Sequence, residues 1–137
     1  MTLRKNRTKA RIALATLVAV GATSVAFAVP ASAAGSLSGY CNAGQVCMFM
    51  DSYYEKGIAG YAGNDTNYSG NYFDHYDGGP IPYLNDATSS IYNHGSSCNT
   101  RHYTNASYGG SSFLTTRNYY YPTISYNDQL SSHKWVC

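Results

Sequence analysis

The sequence predicts an all-β domain, a sandwich or barrel, and three observations carry that reading. Beyond its N-terminal stretch the chain shows no sustained helical periodicity. It is crowded instead with Tyr, Gly, Asn and Ser, and its β-prone residues fall in short runs bounded by turn formers. Two hexapeptides of one pattern, Asn85-Asp86-Ala87-Thr88-Ser89-Ser90 and Asn127-Asp128-Gln129-Leu130-Ser131-Ser132, also mark the chain as two related halves.

Residues 1–33 read as a secretory signal peptide outside the fold. Arg4, Lys5, Arg7, Lys9 and Arg11 form a basic opening, Ile12 to Val29 is a nearly unbroken apolar run, and Ala31-Ser32-Ala33 is a small-x-small cleavage site. An uncleaved anchor is the rival reading, since the run is only just long enough to span a bilayer. Cleavage after Ala33 leaves residues 34–137, enough for one domain, secreted and extracellular, with no membrane attachment and a monomeric state expected. The precursor carries +2, but its five signal-peptide bases leave with the signal. Lys56, Arg101, Arg117 and Lys134 then face seven acidic side chains, a net charge of −3. No basic stripe remains to support nucleic-acid binding.

All four cysteines, Cys41, Cys47, Cys98 and Cys137, lie in the exported part, where an even count implies two disulfides. Of the three possible pairings, Cys41 with Cys47 and Cys98 with Cys137 is favoured, because the first pair is close in sequence and the second ties down the last residue. Zinc is the rival use, but no C-x₂-C spacing exists.

The β-prone runs are Val46 to Met50, Ser90 to Tyr92, Phe113 to Thr116 and Tyr119 to Ile124. Side chains alternate along a strand, so Tyr119, Tyr120 and Tyr121 cannot share one face and at least one is exposed. Each hexapeptide is preceded by an aromatic pair: Phe49 and Tyr54 followed by Gly57, then Tyr103 and Tyr108 followed by Gly110, the members of each pair separated by four residues. From aromatic pair to hexapeptide the first half is 12 residues longer than the second. The extra length is expected in Gly60 to Gly79 as a loop insertion, or alternatively as an added binding surface, with Gly78-Gly79-Pro80 breaking regular structure after it.

These features resemble the βγ-crystallins, whose Greek-key motif reads aromatic, four residues, aromatic, any residue, Gly. Calcium-binding members add Asn/Asp-Asn/Asp-x-x-Ser/Thr-Ser later in the same motif. Tyr103 to Gly110 matches the first pattern in full and both hexapeptides match the second, while Tyr54 and Gly57 have two residues between them rather than one. The resemblance implies a sandwich of two Greek-key motifs over residues 34–137, the first about 40–97 and the second about 98–137. Within the family the chain is similar to a secreted bacterial branch that includes peptidase inhibitors, where a Cys pair such as Cys41 and Cys47 precedes the first aromatic hairpin.

Read alone, the shared positions of each hexapeptide pack a carboxylate, an amide and two hydroxyls into one turn, the hard-oxygen chemistry of Ca²⁺. Asn, Asp and Ser also build turns, and recurrence of the pattern is what favours paired cation sites. A Ca²⁺ ion takes six to eight oxygens, more than one short turn supplies. The resemblance implies that the motifs share ligands: Asp86 and Asp128 each reach the other motif's ion, while Ser89 and Ser131 hydroxyls and the Ala87 and Gln129 carbonyls bind their own. Hairpin carbonyls near Met50 and Thr104 then complete two calcium sites, and Ser90 and Ser132 hold the turns. With a single carboxylate per ion, dissociation constants on the order of 10⁻⁶ to 10⁻⁴ M are expected.

No catalytic motif appears, and His75, His94, His102 and His133 are scattered, each expected on the surface. The function expected is therefore a non-enzymatic, calcium-binding module with a mainly structural use of the ion. The alternatives are an extracellular peptidase inhibitor, using the Cys41 to Cys47 loop or the Gly60 to Gly79 insertion, and a glycan or cell-wall binding module using exposed tyrosines such as Tyr119 and Tyr120.

Overall fold

Short strands punctuated by tight turns run through the computed structural model of the chain, which describes residues 40–75 and 79–137. The expected signal peptide lies outside the described residues. Seven strands are present among those residues: β1 Val46–Phe49, β2 Ile58–Tyr61, β3 Ser90–Asn93, β4 Asn99–Asn105, β5 Gly109–Thr115, β6 Tyr119–Tyr121 and β7 Ser132–Val136. They form two antiparallel sheets, ordered β2-β1-β3-β6 and β5-β4-β7.

The connectivity is that of two Greek keys that exchange a strand. β6 belongs to the second half by sequence, yet pairs with β3 of the first, Tyr120 opposite Tyr92. The reciprocal exchange is a single bridge, Asp65 opposite His133 on β7. Neither half therefore completes its sheet alone. The shared core contains Val46, Met48, Ala59, Tyr61, Tyr68, Phe73, Leu84, Ile91 and Leu130. Both favoured disulfides are present, Cys41–Cys47 and Cys98–Cys137.

The β-prone runs named from sequence coincide with β1, β3 and β6 and with the end of β5, while β2, β4 and β7 lie outside them. β4 and β7 bury polar side chains in place of apolar ones: Thr100, His102, Ser132 and His133 are among their buried positions. Polar residues in the core also correct the expectation that every histidine is a surface residue, since His102 and His133 are fully buried. The His133 Nε2–H donates to the Gly63 carbonyl at 2.9 Å, so its Nδ1 accepts the Tyr68 hydroxyl at 2.8 Å. The Thr115 hydroxyl donates to the Thr100 carbonyl at 3.1 Å and therefore accepts the His102 Nε2–H at 3.0 Å. Both imidazoles are thus held in one neutral tautomer. Burial keeps the His133 pKa down at about 4, against a weaker opposing effect of its bond to Gly63, and burial together with His133 holds His102 well below the usual histidine value.

The insertion is a loop as expected, with no helix or strand between β2 and β3 among the described residues, but it begins later than Gly60. Gly60 and Tyr61 belong to β2 and Asp65 to the exchanged bridge, so the extra residues fall within 66–84. Within that span Tyr68 and Phe73, and Leu84 just before the first hexapeptide, are buried in the core. Burial of a side chain such as Phe or Leu stabilises by about 1.5–3 kcal/mol, so these side chains anchor the loop to the core while most of its other described residues are exposed. Reciprocal bonds between Asp74 and Ile58, 2.8 and 2.9 Å, dock it against β2.

Gly57 is explained by that docking. A Cβ there would stand 2.6 Å from Phe73 Cβ. The residue two beyond the hairpin's second aromatic, Gly110 at φ 74° in the second half, is Lys56 at φ 53° in the first. The glycine one position later therefore serves the insertion rather than the hairpin turn.

Two predictions follow from this packing. Gly57→Ala should destabilise by about 1–3 kcal/mol through overpacking, read by urea denaturation; an unchanged midpoint would show that the 66–84 segment yields freely. The second concerns pH. Because both buried histidines have depressed pKa values, their contribution is intact above the unfolded-state pKa near 6.5 and lost as pH falls toward 4. The His133 share of the loss is about 3 kcal/mol by pH 4. Denaturation midpoints in chelator should begin to fall above pH 5, before most carboxylates titrate, whereas a flat profile from pH 7 to 5 would contradict neutral, buried imidazoles.

Candidate metal centre

The two hexapeptides meet at one pole of the sandwich, beside the ends of the aromatic hairpins. Their arrangement is set first by backbone. Asp86 and Asp128 stand at φ 55° and 54°, the left-handed region that Asp tolerates better than most side chains. The Asp86 N–H donates to the Leu130 carbonyl and the Asp128 N–H to the Thr88 carbonyl, both at 3.0 Å. Thus each turn is pinned by the opposite one.

The side chains repeat the crossing. Ser89 Oγ donates to Asp128 Oδ1 at 3.0 Å, and Ser131 Oγ donates to Asp86 Oδ1 at 3.2 Å. The other oxygen of each carboxylate accepts the amide of the preceding asparagine, Asn85 to Asp86 and Asn127 to Asp128, both at 2.7 Å. Both carboxylates are consequently fixed in direction while remaining exposed. Ser89 and Ser131 are nearly buried, and their N–H groups donate to the Phe49 and Tyr103 carbonyls at 2.9 Å. The carbonyls of the next residues, Met50 and Thr104, therefore belong to chain running directly beside each cluster.

Ala87 and Gln129 close their turns through backbone bonds to the Leu84 and Tyr126 carbonyls, 3.3 and 3.2 Å. Ser90 and Ser132 face the hairpins: their hydroxyls donate to the Asp51 and Asn105 carbonyls at 2.6 Å and accept the Tyr54 and Tyr108 N–H groups at 3.0 and 3.2 Å. Those bonds hold the left-handed backbone at Tyr53–Tyr54 and Ser107–Tyr108. Among the described residues no three His, Cys, Asp or Glu side chains gather as a metal cluster. The donors that do gather are carboxylate and hydroxyl oxygens, suited to hard cations and poorly suited to zinc or copper.

The surfaces named for other partners are also defined. The Cys41 to Cys47 loop lies against residue 94: Gly44 N–H donates to the His94 carbonyl at 2.8 Å, and His94 N–H to the Gln45 carbonyl at 2.9 Å. It is a loop tied down along its length. Tyr119 and Tyr120 are exposed as expected, but the exposed rings are not a flat platform. Tyr120 stacks on Tyr92 with centroids 3.9 Å apart, Tyr92 stacks on His94 at 4.8 Å, and Tyr54 meets Tyr120 edge-on at 5.6 Å. The rings stand up from the sheet and cover one another's faces.

No protein-family model matches the sequence, and no curated protein matches it. Solved structures do match. A structure described under the evolution of the eye lens βγ-crystallin domain fold aligns with a TM-score of 0.55 at 16% identity, over 71% of this chain and 90% of that one. A βγ-crystallin from Ciona intestinalis aligns at 0.53 and 18%, over 68% of this chain and 100% of that one. An archaeal βγ-crystallin gives 0.51 and 20%, over 69% and 100%. With two antiparallel sheets and two strand-exchanged Greek keys, the chain has the βγ-crystallin domain fold.

Proposed function

We propose that this is a secreted, non-enzymatic module that binds two Ca²⁺ ions in paired sites, and that the ions serve mainly to stabilise it. The observation that carries the reading is the crossed carboxylate–hydroxyl pair, Asp128 with Ser89 and Asp86 with Ser131. Two oxygens from different halves converge at each end, already oriented by their own backbone and side-chain bonds. Asp128, Ser89 and the Ala87 carbonyl would hold one ion, and Asp86, Ser131 and the Gln129 carbonyl the other. The hairpin carbonyls near Met50 and Thr104 supply further oxygens. Bound calcium supplies positive charge that satisfies these oxygens together, and the protein residues hold them in place and orient them.

Two disulfides among the described residues agree with an oxidising, extracellular setting. Calcium there is abundant enough for sites with dissociation constants on the order of 10⁻⁶ to 10⁻⁴ M. At a hundredfold excess over the dissociation constant, each independent site stabilises the fold by about 2.7 kcal/mol. For a small domain that is a large share of total stability.

Calorimetric titration of residues 34–137 with Ca²⁺ should show two sites, and the melting temperature should rise by several degrees between chelator and calcium. No heat and no shift would reduce the hexapeptides to structural turns. Asp86→Ala should weaken the ion held with Ser131, tenfold or more, and Asp128→Ala the ion held with Ser89. If each substitution affected only the site of its own hexapeptide, the shared-ligand reading would fail.

A further inference from the structure

At the pole opposite the hexapeptides, three connections enclose an open cleft of about 550 Å³: the turn before β1, the β3–β4 connection and the β5–β6 turn. That volume lies within the range of small-molecule sites. His94, Ser96, Arg117 and Asn118 line it together with Ala43 and Gly95. We infer that this cleft binds an acidic saccharide, a pyranose bearing a carboxylate, with Arg117 taking the carboxylate and Asn118, Ser96 and His94 the ring hydroxyls.

Charge is the first argument. Residues 34–137 carry −3, yet none of the described acidic side chains lines this cleft, and Arg117 has no carboxylate partner among the described residues. Arg117 is nevertheless held in position. Its backbone N–H donates to Asn99 Oδ1 at 3.0 Å, and Nη1 donates to the Ser96 carbonyl at 3.2 Å. The remaining guanidinium donors form a planar fork matched to a carboxylate. A phosphate dianion would call for more than this single cation.

The neighbouring groups supply the mixed donors and acceptors that sugar hydroxyls require. Asn118 Oδ1 accepts the Tyr92 hydroxyl at 3.3 Å, which leaves the amide NH₂ as donor. His94 Nδ1 lies 3.1 Å from the Cys41 carbonyl and must donate to it, so in the neutral ring Nε2 is the acceptor. Stacking of the His94 ring on Tyr92, 4.8 Å between centroids, fixes that nitrogen's direction. Ser96 is exposed and offers a hydroxyl of either sense.

The surroundings suit more than one sugar ring. Across residues 95–97 a second cleft of about 430 Å³ is lined by Trp135, an aromatic surface of the kind that packs on pyranose rings. Gly95 permits that closeness, because a Cβ there would lie 2.5 Å from the indole.

The test is calorimetric or NMR titration with trigalacturonate, compared with maltotriose and with trialanine, whose terminal carboxylate lacks a sugar. Trigalacturonate should bind at least tenfold more tightly than either. Arg117→Gln should weaken it tenfold or more, and Asn118→Gly at least threefold; φ at Asn118 is 53°, so glycine removes the amide without backbone strain. Both variants should melt as the parent does, which separates lost contacts from lost fold. Failure of trigalacturonate to bind would overturn the inference. So would equal affinity for maltotriose or trialanine, or binding that Arg117→Gln leaves unchanged, the outcome expected if a uronate merely bridged through calcium at the far pole.

Discussion

Asp86 and Asp128 occupy a backbone conformation that costs an L-residue about 1 kcal/mol or more, and in each case the bonds that compensate come from the opposite half of the domain. The N–H of each reaches a carbonyl in the other hexapeptide, and the carboxylate of each accepts a hydroxyl from the other hexapeptide. Because these contacts are reciprocal, neither turn can close without its partner. The strand exchange by β6 and Asp65 imposes the same dependence on the sheets. A cation shared between the halves would strengthen an interlock that hydrogen bonds already define.

The two poles are secured by different chemistry. Around the hexapeptides the connections are non-covalent, and Ser90 and Ser132 brace the hairpins against the sheet. Toward the other pole the disulfides Cys41–Cys47 and Cys98–Cys137 tie the start of β1 and the two termini of the second sheet. In the chain-entropy view, the longer of these loops limits the unfolded ensemble more. Covalent restraint beside the Arg117 cleft leaves its walls less to lose on binding, which favours a preorganised site.

Symmetry between the halves breaks at the 66–84 segment, and the consequences reach the core. Tyr68 comes from that segment and donates to His133, while its own backbone N–H donates to Ser131, next to the second hexapeptide's final serine. Phe73 displaces any side chain from position 57. His133 lies where this added layer meets β7, and the neutrality of both buried histidines follows first from burial, with His133 adding to it at His102.

Much of the architecture is readable in the sequence because it is written in local chemistry. The duplicated Asn-Asp-x-x-Ser-Ser turns, the aromatic pairs, the cysteine spacing and the short apolar run of β1 all depend on neighbours a few residues apart. They suffice for an all-β chain of two related halves with two disulfides. β4 and β7 escape the same reading because their inward faces carry Thr, His and Ser, whose burial is stabilised only by partners far along the chain. The insertion reads as a loop and is one, but its Gly, Asn and Asp content describes the turns and not the burial of Tyr68 and Phe73 in the core. The crossing of Asp86 to Ser131 and Asp128 to Ser89 is reached from sequence only through the family resemblance, and that Arg117, His94 and Asn118 share a cleft is decided by tertiary structure alone. Distances between residues tens of positions apart are set by how two sheets pack, and no local pattern encodes them.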